Sequence, residues 1–217
     1  MYTWHWEALP EYLPLLGAAT ARTLAISAVS IVGGTALGAA AGLSRVQPWI
    51  PLRAAATLYV EALRNVPLML VLYLLYFGAG AFLPISPFAA AVIALSVFEG
   101  AYIAEIVRAG VESVDRGQME AARSLGMTWG QSMRHIILPQ AARRSLPPLT
   151  GQFTALVKDS SLASLVSYEE LMLVGRQINS RIFSPFEVFL TIGAIYFAIC
   201  LLLSLLARWQ EARLPRT

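Results

Sequence analysis

The sequence predicts an all-α integral membrane protein, one domain over residues 1–217, with five transmembrane helices and a long cytoplasmic loop between the third and fourth. Three observations carry that prediction. Charged residues make up only 13% of the chain, where a soluble domain carries about 25%. Hydrophobic residues make up 57% and gather in runs long enough to span a bilayer, which takes about 20 residues. Most of the cations lie between those runs, and fifteen of the sixteen are arginine, the pattern of residues flanking a membrane–water boundary.

The first run is roughly Leu24–Leu43, rich in Gly and Ala. Gly34, Gly38 and Gly42 recur every fourth residue beside Gly33. Such a small-residue ladder lets another helix approach closely, either within this chain or in a second copy. Before the run, residues 1–11 hold Glu7 and Glu11 and no cation. A signal peptide begins with a basic segment, so the first run is expected to stay as a membrane anchor.

The second run is roughly Leu58–Phe77. Glu61, Arg64 and Asn65 fall at i, i+3 and i+4 and share a helical face. Pro67 follows and frees a carbonyl by removing a backbone bond. A kinked polar face suits a translocation path or gate. A Glu61–Arg64 salt bridge that fixes the bundle is the alternative.

The third run is Pro87–Val107. Glu99 lies roughly 18 Å along it, near the middle of the bilayer, and Tyr102 shares its face. Charges at that depth are costly and usually functional. The Glu99 carboxylate is suited to a substrate ammonium or guanidinium, or to a hydrogen bond with a neighbouring span. Glu105 and Arg108, at i and i+3, read as a local salt bridge.

Between the third and fourth runs, residues 109–144 are polar and helix-forming. Gly117–Leu125 reads as one short helix. Gly126 stands where a left-handed C-terminal cap belongs. Thr128 and Gln131 form a capping-box pair for a second helix, which Pro139 is expected to end.

The fourth run, roughly Leu146–Leu165, contains Pro147, Pro148, Gln152, Lys158 and Asp159. A segment that polar is expected to be surrounded by protein rather than lipid. Lys158 and Asp159 are candidates for the outer end of a path or for structural pairing. The fifth run is Val188–Leu206 and holds Cys200, the lone cysteine, which reads as a small hydrophobe.

Arg45 and Arg53 follow the first run, Arg116, Arg123, Arg134, Arg143 and Arg144 follow the third, and Arg208, Arg213 and Arg216 follow the fifth. The positive-inside rule places those regions in the cytoplasm and the N-terminus outside. The arginines form no continuous stripe, so the net charge of +3 does not point to nucleic acid. His5 and His135 lack metal-ligand spacing. The sequence has no G-x-x-x-x-G-K-[ST] phosphate loop.

Glu120-Ala121-Ala122, then Gly126, then Ile136, Leu138 and Pro139 fit E-A-A-x3-G-x9-I-x-L-P at every position. This resembles the signature of ABC importer permeases. Arg64-Asn65-Val66-Pro67, Ala101 through Arg108, Gly117-Gln118-Met119-Glu120, Leu138-Pro139-Gln140-Ala141 and Lys158-Asp159-Ser160-Ser161-Leu162 resemble elements of the polar amino acid subfamily, although Ala109 stands where a Gly is common. The resemblance spans roughly residues 20–206. It implies the type I ABC importer permease fold in a bacterial inner membrane, surrounded by lipid. It also implies a coupling helix over the E-A-A loop, docked on a separate ATPase. The expected partners are two ATPase subunits, which hold the ATP and magnesium, a second permease copy or paralogue, and an extracytoplasmic solute-binding protein. No cofactor is expected on this chain. The expected substrate is a polar amino acid moved by alternating access. Glu61, Arg64, Asn65, Glu99, Tyr102, Lys158, Asp159 and Ser160 are the candidate path residues.

Two other classes fit less well. An intramembrane enzyme needs a nucleophile–base pair or a metal set, and neither stands at a recognisable spacing. A passive channel or scaffold has no use for an E-A-A loop.

Overall fold

A computed structural model describes residues 4–211, and every regular element within them is helical. Arg213 and Arg216, counted above for orientation, lie outside the described residues. The helices are α1 (Leu13–Val46), α2 (Ile50–Arg64), α3 (Leu68–Tyr73), α4 (Pro87–Glu112), α5 (Arg116–Ser124), α6 (Trp129–Ser132), α7 (Leu138–Asp159), α8 (Leu171–Ile182) and α9 (Pro185–Glu211). Among the described residues, α1 (with the short turns before it), α4 and α9 are long and apolar enough to cross a membrane. The bent pair α2–α3 makes a fourth if its halves form one span. With 22 residues α7 is long enough, but its polar groups keep it out of that class.

The centre of the fold is α1 against α4. Thr23, Ser27, Ser30, Gly34, Gly38 and Gly42 form a buried stripe of small residues along α1. A Cβ on Gly38 would lie 2.5 Å from Ile103 Cβ and 2.8 Å from the Gly100 carbonyl. One on Gly42 would lie 2.7 Å from the Ala104 carbonyl. The ladder therefore serves packing within this chain, and α4 covers the face that a second copy would need. Backbones this close gain dispersion contacts along the whole crossing, the main attraction left between helices in lipid.

The second run is corrected by the structure. It is not one kinked helix: α2 and α3 meet at 104° across Asn65–Pro67. Pro67 cannot donate to the helix before it, and it restricts Val66 to extended backbone. The Glu61 carbonyl closes the end of α2, accepting both the Asn65 backbone N–H at 3.3 Å and the Asn65 side-chain amide at 2.8 Å. Beyond α3 the chain widens into a π-helical turn over Leu74–Gly78.

Pro139 is also corrected. It does not end a helix but lies within a continuous helical run, directly after a π-helical turn and in the first turn of α7. The turn before it, Met133–Ile137, is π-helical and links α6 to α7 without a break. The wider turn makes room for the proline ring, which would crowd the carbonyl four residues back. Helix therefore starts at Leu138, ahead of the expected Leu146, and gives way after Asp159 to a 3-10 stretch over Ser160–Val166.

Residues between the fourth and fifth runs, where Glu169 and Glu170 stand against Arg176 and Arg181, fold into α8, a helix the sequence reading does not place. Buried Glu170 caps it, accepting from Met172 N and Leu173 N at 2.8 Å each. The Tyr196 hydroxyl donates to the same carboxylate at 2.9 Å. Burial pushes the Glu170 carboxyl above its ordinary range, and these donors pull the other way. Around α8, Leu9, Leu16, Val174, Ile178, Val188 and Ile192 close one end of the bundle.

Candidate functional site

Residues of three regions gather the expected functional side chains. The first is the loop from α5 to α7. Asp115 caps α5 through Gly117 N at 2.7 Å. The helix ends in paired bonds, Met127 N to the Ala122 carbonyl at 3.2 Å and Gly126 N to the Arg123 carbonyl at 3.0 Å. That closure needs a left-handed residue, and Gly126 supplies it with φ +84°. Thr128 and Gln131 then form both halves of the capping box, at 2.8 and 3.3 Å. The corner is thus held at four backbone or cap bonds. Beneath it Val111, Val114, Met133, Ile137 and Ala141 form a small core, with Val46, Trp129, Ile136 and Leu138 against it.

Within this loop, Ala122 is buried while Glu120, Ala121 and Gly126 are exposed. Ile136 and Leu138 pack beneath, so the signature divides into an outward part and a structural part. Leu125, which the sequence did not single out, is 84% exposed at the tip. The corner thus presents one large apolar side chain beside the exposed Glu120 and Ala121.

The second region lies at the loop end of the bundle. The expected Glu61–Arg64 pair does not form. Arg64 Nη1 instead lies 3.7 Å from Glu105 Oε2, with its guanidinium 5.5 Å from the Tyr102 ring centroid. Glu61 lies 3.9 Å from Arg45. The 104° bend ends α2 at Arg64 and faces that turn toward α1 and α4, which offer better-placed partners. The expected Glu105–Arg108 pair does form, with Nε at 3.2 Å from Oε2, and Arg108 also meets Glu112. Arg45 is the residue sequence reasoning passed over. It counted only as a loop cation, yet its side chain is 9% exposed and bonds Glu105 at 2.6 Å. Glu61, Arg64 and Asn65 remain exposed on the chain's surface. At membrane depth such a face needs protein or water beside it.

The third region is the middle of α4. Glu99 is 0% exposed. Gln152 Nε2, on α7, donates to Glu99 Oε2 at 2.7 Å. Among the described residues Oε1 is buried with no hydrogen-bond partner. The Cβ of Glu99 also lies against α1 at Gly34, so three helices meet there. Tyr102 does not join Glu99; it packs on Phe98 at 5.2 Å between ring centroids. Lys158, Asp159 and Ser160 end α7 two turns past Gln152. Lys158 is exposed, Asp159 half-buried, and Ser160 is buried with its hydroxyl donating to the Val157 carbonyl at 2.7 Å. No group of His, Cys, Asp and Glu among the described residues is arranged to hold a metal ion.

Comparison with known proteins places this architecture. Residues 34–216 match the model of the family described as binding-protein-dependent transport system inner membrane component. The probable glutamine ABC transporter permease protein GlnM of Bacillus subtilis (strain 168) is 40% identical over 197 residues, covering 90% of this chain and 91% of that protein. The glutamine transport system permease protein GlnP of Escherichia coli (strain K12) is 36% identical over 213 residues, covering 96% and 97%. Among solved structures, an amino acid ABC transporter crystallised with histidines superposes with a TM-score of 0.93 at 36% identity, covering 98% of this chain and 100% of that one.

Proposed function

The chain belongs to the family of binding-protein-dependent transport system inner membrane components, and from that premise we propose that it moves a polar amino acid inward across the bacterial inner membrane by alternating access. Two of its relatives are named glutamine permeases, one of them as probable, and another is named an L-cystine permease, which supports the substrate class. It works as the transmembrane subunit of an ABC importer. ATP and magnesium bind on two separate ATPase subunits. A second copy of this chain, or a related permease, completes the membrane part, and an extracytoplasmic solute-binding protein delivers the substrate. The five spans are α1, the bent α2–α3 pair, α4, α7 and α9, with the N-terminus outside.

The observation that carries this reading is the outward face of the capped α5–α6 corner. Glu120, Ala121 and Leu125 are exposed there, while both helix ends are satisfied from within the chain. A surface so held, with an apolar tip and one carboxylate, fits a groove on the ATPase. Closure of the ATPases on ATP displaces the corner, and the helices attached to it rock. Among the described residues, Glu99 offers a carboxylate buried in the middle of α4 with one oxygen free of hydrogen bonds, and it receives the substrate's cationic group.

The test is a mild-detergent pull-down of the tagged chain from native membranes. An ATPase subunit that co-purifies with the wild type and is lost with Leu125→Asp supports the reading. A chain that purifies alone, where other membrane complexes survive, overturns it in favour of a channel or scaffold.

A further inference from the structure

We propose that Gln152 is a positioning residue that ties the Glu99 carboxylate to the position of the α5–α6 corner, competing with the substrate for that carboxylate. The inference rests on Glu99 as the substrate carboxylate. It adds a route by which the loop controls that site.

The Gln152 amide makes the hydrogen bond to Glu99 described above, at 2.7 Å, and Oε1 is left without a partner among the described residues. A carboxylate buried at that depth needs a donor or a cation. In this conformation the donor comes from another helix. That helix is also the one joined to the loop, because residues 129–159 run helical throughout. Displacement of α6 therefore enters α7 with no linker between them, across the π-helical turn Met133–Ile137 and past Pro147 and Pro148 inside α7.

The geometry also supplies a pivot. At Gly110 of α4 a Cβ would meet Ser145 Oγ of α7 at 2.0 Å and the Ala141 carbonyl at 3.1 Å. The two helices pack tightly there, with Ser145 buried. Trp129 stands roughly 24 Å from Ser145 on the loop side, and Gln152 stands roughly 10 Å beyond it. With α7 tilting as one rod, a movement of the loop by roughly 4 Å moves Gln152 by roughly 1.5–2 Å, the scale of helix shifts in switching proteins. That displacement carries a bond of 2.7 Å past the distance at which it still counts as one. Glu99 is then free for an ammonium or guanidinium. When α7 returns, the amide reclaims Oε2 and the substrate is released.

The complex with its ATPases is purified, and binding of labelled L-arginine and L-glutamine is measured without the binding protein, alongside turnover in proteoliposomes. Gln152→Leu keeps the side chain's bulk and removes the donor. Its dissociation constant is expected to fall roughly tenfold and its turnover number to fall as well. In a Glu99→Gln background the same change is expected to shift neither. Where Gln152→Leu fails to fold, Gln152→Asn, whose amide stops one carbon short, makes the same test. A merely structural bond lowers thermal stability without that opposed change in affinity and turnover, and this outcome overturns the proposal. If Glu99→Gln weakens binding but neither Gln152 variant changes affinity, the Glu99 site stands and the link to Gln152 is refuted. If Glu99→Gln leaves binding unchanged, the site itself is refuted, and the link with it.

Discussion

Arg45 Nη1 and Glu105 Oε2 lie 2.6 Å apart across sixty residues of chain. They join the last turn of α1 to α4 where the bundle meets the loop. The same Glu105 carboxylate takes Arg108 and stands 3.7 Å from Arg64, so one acidic group gathers three arginines from three helices. The tight contacts bind α1 to α4. Those to α2 are longer, and α2 is joined to α3 only through the sharp corner at Asn65–Pro67. The α1–α4 pair is the frame, and α2 is an arm held against it by these ion pairs, by the Tyr59 hydroxyl donating to the Val97 carbonyl at 2.6 Å, and by buried Ala56 and Val60.

Removing Arg45 leaves Glu105 short of a partner and removes the contact that Glu61 of the arm makes with α1. Breaking a hydrogen bond to a charged group costs about 1.5–3 kcal/mol. Arg45→Leu is expected to lower stability by that amount. Thermal unfolding in detergent checks it, and Arg53→Leu, on the exposed face of α2, is the control expected to stay within about 0.5 kcal/mol.

At the α1–α4 crossing, Gly38→Ala places a methyl 2.5 Å from Ile103 Cβ. The helices must part along their length, and overpacking of this kind costs about 1–3 kcal/mol. Gly193→Ala on α9 meets nothing within 4 Å and is expected to be neutral. Equal melting temperatures for the two variants would contradict the packing described here.

Gly126 carries φ +84° at the corner of the loop. Valine there is strained by roughly 1–2 kcal/mol or more, and the helix end gives way locally. Gly126→Val is expected to insert normally in the membrane while losing ATPase co-purification and substrate uptake. Uptake at the wild-type rate would remove the corner from the coupling path.

Orientation is checked by labelling single cysteines in a background of Cys200→Ala. Phe82→Cys, at an exposed turn between α3 and α4, is expected to react with an impermeant maleimide added outside intact cells. Gln118→Cys on α5 is expected to react only in inverted vesicles. The reverse pattern would turn the protein over.

The helical class, the α5–α6 corner and its caps were legible because each depends on neighbours in sequence. Gly126, Thr128 and Gln131 specify their conformations within a few residues. Pro67 announced a disruption but not its angle. A proline frees a carbonyl wherever it sits, while the 104° turn depends on how α2 and α3 pack on α4. Pro139 misled for a related reason. The same ring ends a helix or opens one, and the difference lies in the turn before it, which here widens into a π-helix. Glu61 and Arg64 shared a face as expected, yet their partners came from α1 and α4. Gln152 was visible only as one polar residue among several in a polar span. Its pairing with Glu99 spans fifty-three residues, and no local pattern records that.

The glycine ladder of α1 has a consequence for biosynthesis. Its complement, Gly100 through Val107 on α4, is made about sixty residues later. At about 5–20 residues per second, the first helix waits roughly 3–12 seconds in the bilayer with its small-residue groove open. During that interval neighbouring lipid, or an insertion chaperone, must occupy the groove that α4 will fill. Bulkier residues in the ladder would therefore act before the native state exists, by closing the seat into which the third span is threaded.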